Sequence, residues 1–242
     1  MFFVITVYAM SMNAAVPDTL LIRIQDRMAS YRQDSSYTCV VHSTIQKMNR
    51  HWQPMETTKI EKELTVESGQ PSIKIISAVR MKDDETADIT DEVREEMGRS
   101  IEEDSDNEDD EGGKQELSLN QEDIFPFGEE RKTLFTFHML PDTTVRGEQI
   151  LRLQTRAIDP AEDLYNGIYW IHPETGSVHE VYLTPSKYPK FVKQLSMHFI
   201  FKELPEDRWK LEKISTRVYV NLLIKKIRIE TEESYSEYRF PE

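Results

Sequence analysis

Residues 167–183 read GIYWIHPETGSVHEVYL. Two histidines and two glutamates sit among aromatic and β-branched residues, so the stretch reads either as a metal or acid–base site or as a β-hairpin. Pro173, Glu174, Thr175 and Gly176 are turn residues between two runs of strand formers, which favours the hairpin. With those four as the loop, His172 faces Ser177, Ile171 faces Val178, Trp170 faces His179, Tyr169 faces Glu180 and Ile168 faces Val181. Side chains alternate along a strand, so this register sorts the stretch into two faces. Ile168, Trp170, His172, His179 and Val181 share one. Tyr169, Ile171, Val178, Glu180 and Tyr182 share the other. His172 and His179 become diagonal neighbours, but Glu180 falls on the opposite face and Glu174 on the loop. A zinc site needs at least three protein ligands, and no third one is local. The stretch therefore reads as structure, with no metal assigned.

Working outward, the same period of two recurs along most of the chain. Strand patterns run through 37–46, 57–66 and 72–82, then 134–140, 147–158, 167–172, 177–184, 193–204, 208–224 and 225–235, with Asn221 marking a break in the longest run. Turn signals separate them at Gly69-Gln70-Pro71, Pro141-Asp142, Asp159-Pro160 and Pro205-Glu206-Asp207. One segment differs. From Pro17 to Arg32 the apolar residues Leu20 or Leu21, Ile24, Met28 and Tyr31 recur at spacings of three and four, the stripe of an amphipathic helix. One helix followed by nine or ten short-looped antiparallel strands predicts an α+β fold. A sheet that long must curl, so a half-open β-barrel is expected, with the N-terminal helix and short helices over its concave face.

Several strands place apolar groups on one face only: Phe135 and Phe137, Leu151 and Leu153, Leu195, Met197, Phe199 and Phe201, Ile227 and Ile229. With Ile168 and Trp170 from the hairpin they are the candidate lining of the concave side. Either side chains fill that side, or it encloses a cavity for an apolar ligand.

The chain has 242 residues and a formal net charge of −14. That charge is local. Between Asp83 and Glu111 lie 16 acids and two bases, while the remaining 28 acids and 28 bases cancel. The main body is neutral, and nucleic acid is not an expected partner. Residues 83–114 have few large apolar groups and read as an acidic, disordered insertion into a single domain spanning 16–242, with Thr90 to Ser100 as its one candidate helix. An EF-hand is disfavoured, because Asp109 stands where its loop needs glycine. Residues 1–15 hold an apolar run, Phe2 to Met10, followed by small residues, and read as a secretory signal peptide. Cys39 is the single cysteine, so no intrachain disulfide forms. The chain has no G-x-S-x-G, H-E-x-x-H or C-x-x-C motif, and its eight glycines form no phosphate loop. No catalytic residue and no cofactor are assigned, and a binding module is favoured over an enzyme.

The run Trp170-Ile171-His172-Pro173-Glu174-Thr175-Gly176 is followed by LSMHFIFKEL (195–204), RWKLEKISTRVYVNLLIKKIRIETE (208–232) and YSEYR (235–239). This series, with the N-terminal helix and a strand from Tyr37, resembles the LolA superfamily of outer-membrane lipoprotein-sorting proteins over about 16–82 and 134–239. The resemblance implies a periplasmic carrier with an apolar cavity for lipid acyl chains or lipoproteins. An envelope protein-interaction or sensor module on the same fold, without lipid cargo, is the alternative it leaves open. It transfers no individual functional residue.

Overall fold

The computed structural model describes residues 16–31, 36–106, 121–145, 147–206, 208–222 and 225–241. Helix α1 (Asp18–Tyr31) leads into strands β1 (Tyr37–Met48), β2 (Pro54–Glu67), β3 (Gln70–Lys82) and β4 (Glu85–Asp88). Helices α2 (Thr90–Asp106) and α3 (Gln121–Ile124) and a 3-10 turn at Arg131–Leu134 follow. Then come β5 (Phe135–Val145), β6 (Glu148–Ala157), β7 (Tyr165–Ile171), β8 (Val178–Pro185), β9 (Val192–Leu204), β10 (Arg208–Asn221) and β11 (Lys226–Arg239). β10 ends at the predicted break.

The strands form one sheet in the order β4-β3-β2-β1-β11-β10-β9-β8-β7-β6-β5, and β4 and β5 are its edges. The two meanders, β1–β4 and β5–β11, join where the last strand pairs antiparallel with the first, as at Val41 opposite Tyr235 and Ile45 opposite Thr231. The result is a curved, half-open antiparallel barrel with few helices.

Helix α1 lies across one face, called here the inner face. Its stripe of Leu20, Ile24 and Met28 packs into a cluster with Leu153, Tyr169, Ile171, Val178, Val181, Leu183, Leu195, Met197 and Phe199. Phe125 and Phe127, from the segment before β5, complete it. Pro17 starts α1 as predicted, and its carbonyl accepts from Leu20 N at 2.9 Å. The helix is also tied sideways: Arg23 donates to the Pro173 carbonyl, and Arg27 Nε to Ser177 Oγ at 3.1 Å. Both partners belong to the β7–β8 turn. Gly176 sits there at φ +73°, and a Cβ on it would stand 2.9 Å from the Arg23 backbone oxygen. A glycine is thus needed for α1 to approach the hairpin this closely.

Residues 83–114 correct an expectation. Their first part is ordered: β4 extends the sheet beside β3, and α2 follows it. The physical reason lies in a few anchors that the acidic composition hides. Ile89 is buried, Thr90 Oγ1 accepts from Ala78 N at 2.9 Å, and Arg94 Nη2 donates to the carbonyls of Ile75 and Ile76 at 3.1 and 3.3 Å. Residues 107–114, like the proposed signal peptide at 1–15, lie outside the described residues. No helix among the described residues is long and apolar enough to cross a membrane.

Candidate binding site on the inner face

Cross-strand partners share a face, so the registers define the inner face rung by rung. One rung runs Leu153, Tyr169, Val181, Phe199, Ile214 from β6 to β10. A second runs Leu183, Met197, Thr216, Thr231 from β8 to β11. Tyr169 is the largest fully buried side chain, and its hydroxyl donates to the Ile124 carbonyl at 2.8 Å. Burial pushes its phenol far up, so it stays protonated and serves as a donor. Its ring lies over Gly167, where an added Cβ would come within 2.5 Å of a ring carbon. That glycine makes room for a tyrosine that aligns the segment before β5 with the sheet.

Most of the predicted lining residues meet here. Leu153, Leu195, Met197 and Phe199 belong to the buried cluster, and Phe137, Leu151 and Phe201 pack against it. Phe135 is buried on the same strand. Ile227 and Ile229 share the inner face by register, opposite Val220 and Val218, but are only half-buried and lie outside the cluster. Ile168 and Trp170 are corrections. Both point to the outer face, while Gly167, Tyr169 and Ile171 point inward. Alternation along β7 is regular, and it is Tyr169 and Ile171 that the buried cluster takes, so Ile168 and Trp170 face the other way. The β7–β8 register is also irregular. Ile171 does face Val178, but Trp170 faces Glu180, Tyr169 faces Val181 and Ile168 faces Tyr182. His179 is the extra residue, a β-bulge that shifts every pair beyond it by one. Trp170 and His179 are therefore not a cross-strand pair. His179 instead meets Trp209 edge-on, with ring centroids 4.9 Å apart. His172 and His179 lie 6.3 Å apart, and His172 Nδ1 accepts from Thr175 N at 3.2 Å, which leaves it a turn-shaping role.

The inner residues missed in the sequence are Tyr169, Ile171, Val178, Val181 and Leu183, with Phe125 and Phe127. The run Ile124-Phe125-Pro126-Phe127 was a usable signal, being apolar and directly after a charged tract.

The inner face changes character beyond β10. Glu233 accepts from Ser43 Oγ at 2.6 Å, Lys62 Nζ at 2.7 Å and Tyr235 OH at 2.8 Å. Burial works to raise the Glu233 carboxyl, but those three donors outweigh it and hold it below the ordinary glutamate value of 4.5. Burial, reinforced by the charge of Glu233, pushes the Tyr235 phenol well up. Nearby Cys39 is buried, and burial raises its thiol to about 11 despite Lys202, Tyr238 and Lys210. A thiol so protonated is not a nucleophile at neutral pH. The inner face is thus apolar under α1 and carries a polar cluster of Ser43, Lys62, Glu233 and Tyr235 where β1, β2 and β11 meet.

No family model and no curated protein matches the chain. Among solved structures, it is similar to a domain from Vibrio parahaemolyticus named for outer membrane lipoprotein sorting, with 12% identity, a TM-score of 0.46 and 91% of each chain covered. It is also similar to a LolA superfamily protein from Nitrosomonas europaea, with 10% identity, a TM-score of 0.42 and 95% of each chain covered. A third is a DUF1329 family protein from Desulfovibrio piger, with 10% identity, a TM-score of 0.40, and 92% of this chain and 91% of that one covered. Likenesses at these identities and TM-scores assign the chain neither a family nor a role.

Proposed function

We propose that this protein is a periplasmic carrier that shelters lipid acyl chains, free or attached to lipoproteins, on the inner face of its half-barrel. The observation that carries the reading is the seating of α1. One amphipathic helix, together with Phe125 and Phe127, covers the apolar half of the inner face, and the helix contributes three buried side chains and two arginine tethers. Burial of Leu20, Ile24 and Met28 is worth roughly 5–9 kcal/mol in total, at about 1.5–3 kcal/mol per side chain. An acyl chain of about 16 carbons taken from water gains roughly 12 kcal/mol at about 0.8 kcal/mol per methylene. Cargo of that class therefore offsets displacement of the helix, and return of the helix favours release. The apolar run of residues 2–10 supports export, with cleavage near Ala15.

The test is mass spectrometry of a solvent extract from protein purified without detergent from a bacterial periplasm. Stoichiometric acyl lipid, with an intact mass showing loss of about 15 residues, is the expected result. Lipid-free protein that captures one specific envelope protein would replace the carrier with an interaction or sensor module. Lipid-free protein that also fails to take up an added fatty acid would end the carrier reading.

A further inference from the structure

The outer face carries a second concave site that owes nothing to the apolar cluster. A solvent-open cavity of about 480 Å³ crosses five strands, β8, β9, β10, β11 and β1. Four strand spacings of about 4.8 Å make it about 19 Å long. Two cross-strand rungs floor it. One runs Tyr182, His198, Ser215, Glu232, Thr44, and the other Ser196, Arg217, Glu230, Gln46.

Three features define what it would hold. First, the carboxylates on its floor are already held by cations: Glu230 lies 2.5 Å from Arg217, and Glu232 lies 2.6 Å from Lys213. A charged ligand would have to break these pairs, whereas a neutral one need not. Second, the hydroxyls of Thr44, Ser196 and Ser215 and the amides of Gln46 and Gln194 line the cavity and make no side-chain hydrogen bond to another described residue. They offer both donors and acceptors, the capacity that a run of ligand hydroxyls requires. Third, an aromatic ring stands at one end: Tyr182, which is 39% exposed at the β8 end. A ring face presents an apolar platform of the kind that packs against the C–H faces of a sugar. The volume also falls in the range of small-molecule sites, about 300–1,000 Å³.

We propose that this groove is a binding site for neutral oligosaccharides. Paired charges, amides and hydroxyls without a side-chain partner among the described residues, and an aromatic ring at one end fit a polyhydroxylated, uncharged chain. Such a ligand would anchor the protein to a glycan while leaving the inner face free.

The test uses the full chain with maltotriose, cellotriose and triacetylchitotriose, followed by saturation-transfer NMR and calorimetry. The expected result is saturable binding of at least one, with a dissociation constant of about 1 mM or tighter. Affinity should be unchanged between low and high salt, because no charge is contributed by the ligand. Ser196→Leu, which fills the groove from an accessible position, should weaken binding about ten-fold or more at an unchanged melting temperature. Should that variant fold poorly, Gln194→Ala and Tyr182→Ala provide the same readout by truncation. The proposal is overturned if none of the three sugars binds saturably up to about 20 mM, roughly twenty-fold weaker than expected. It is also overturned if the variants bind undiminished, or if only an anionic or a cationic oligosaccharide binds.

Discussion

Ile24→Ala probes the seating of α1 most directly. Ile24 is fully buried at the centre of the helix stripe, while Ile22 on the same helix is 56% exposed. The substitution deletes three carbons' worth of buried side chain, about 2.4 kcal/mol by transfer alone, and a residual cavity adds to it. Helix propensity gives back only a few tenths of a kcal/mol. The expected loss is about 3 kcal/mol, or roughly a hundred-fold in the opening equilibrium of the helix. Native-state hydrogen exchange at the amides of residues 22–28 measures that opening, and urea unfolding measures the whole molecule. If α1 lifts as a unit, exchange in α1 should accelerate by that factor while the sheet amides change less, and uptake of an apolar dye should rise. Ile22→Ala is the control, expected within about 0.5 kcal/mol of wild type. Equal losses for the two variants, or a loss at Ile24 below about 0.5 kcal/mol, would refute the reasoning that α1 is held chiefly by its buried stripe.

Four further outcomes are expected. Gly167→Ala should cost about 2 kcal/mol or more in urea unfolding, because the new Cβ meets the buried Tyr169 ring. Pairing it with Tyr169→Leu should yield less than the sum of the two single losses. Glu233→Gln should destabilise by about 1–3 kcal/mol at neutral pH, since it removes a carboxylate that holds three donors. Because the folded carboxyl lies below its ordinary 4.5, that difference is full above about 4.5 and shrinks as pH falls through the folded value. Cys39 in the native protein should react with a maleimide at least about a hundred-fold more slowly than in the unfolded chain, followed by mass spectrometry at neutral pH. Arg94→Ala should leave the melting temperature nearly unchanged but hasten proteolysis within 90–106, because it removes the donors that fasten α2 to β3.

The elements themselves were legible from local chemistry. The helix of 17–32 appeared because a spacing of three and four places Leu20, Ile24 and Met28 on one side, and the strands because alternation places Leu195, Met197 and Phe199 on one side. The acidic tract was less legible. Composition measures how much apolar surface a segment can bury, and it missed that Ile89, Thr90 and Arg94 suffice to fix α2 on a neighbouring strand. The candidate lining divided in the same way. Residues on most strands fell where alternation put them, whereas on β7 the buried cluster takes Tyr169 and Ile171 in place of Ile168 and Trp170, and the bulge at His179 brings Val181 and Leu183 to the same face.

The period of a segment is a property of its own bonds, so the sequence alone determined that an amphipathic N-terminal helix precedes a long antiparallel sheet with one apolar face. A bulge is decided by which pairing buries Tyr169 and Ile171, and that depends on α1 and Phe127 arriving from distant parts of the chain. The closure of β11 on β1 links residues nearly two hundred positions apart, for which no local pattern codes. One end of the outer groove depends on that closure. Thr44 and Gln46 reach Glu232 and Glu230 only because the first strand lies beside the last, and only the tertiary structure brings those residues into one site.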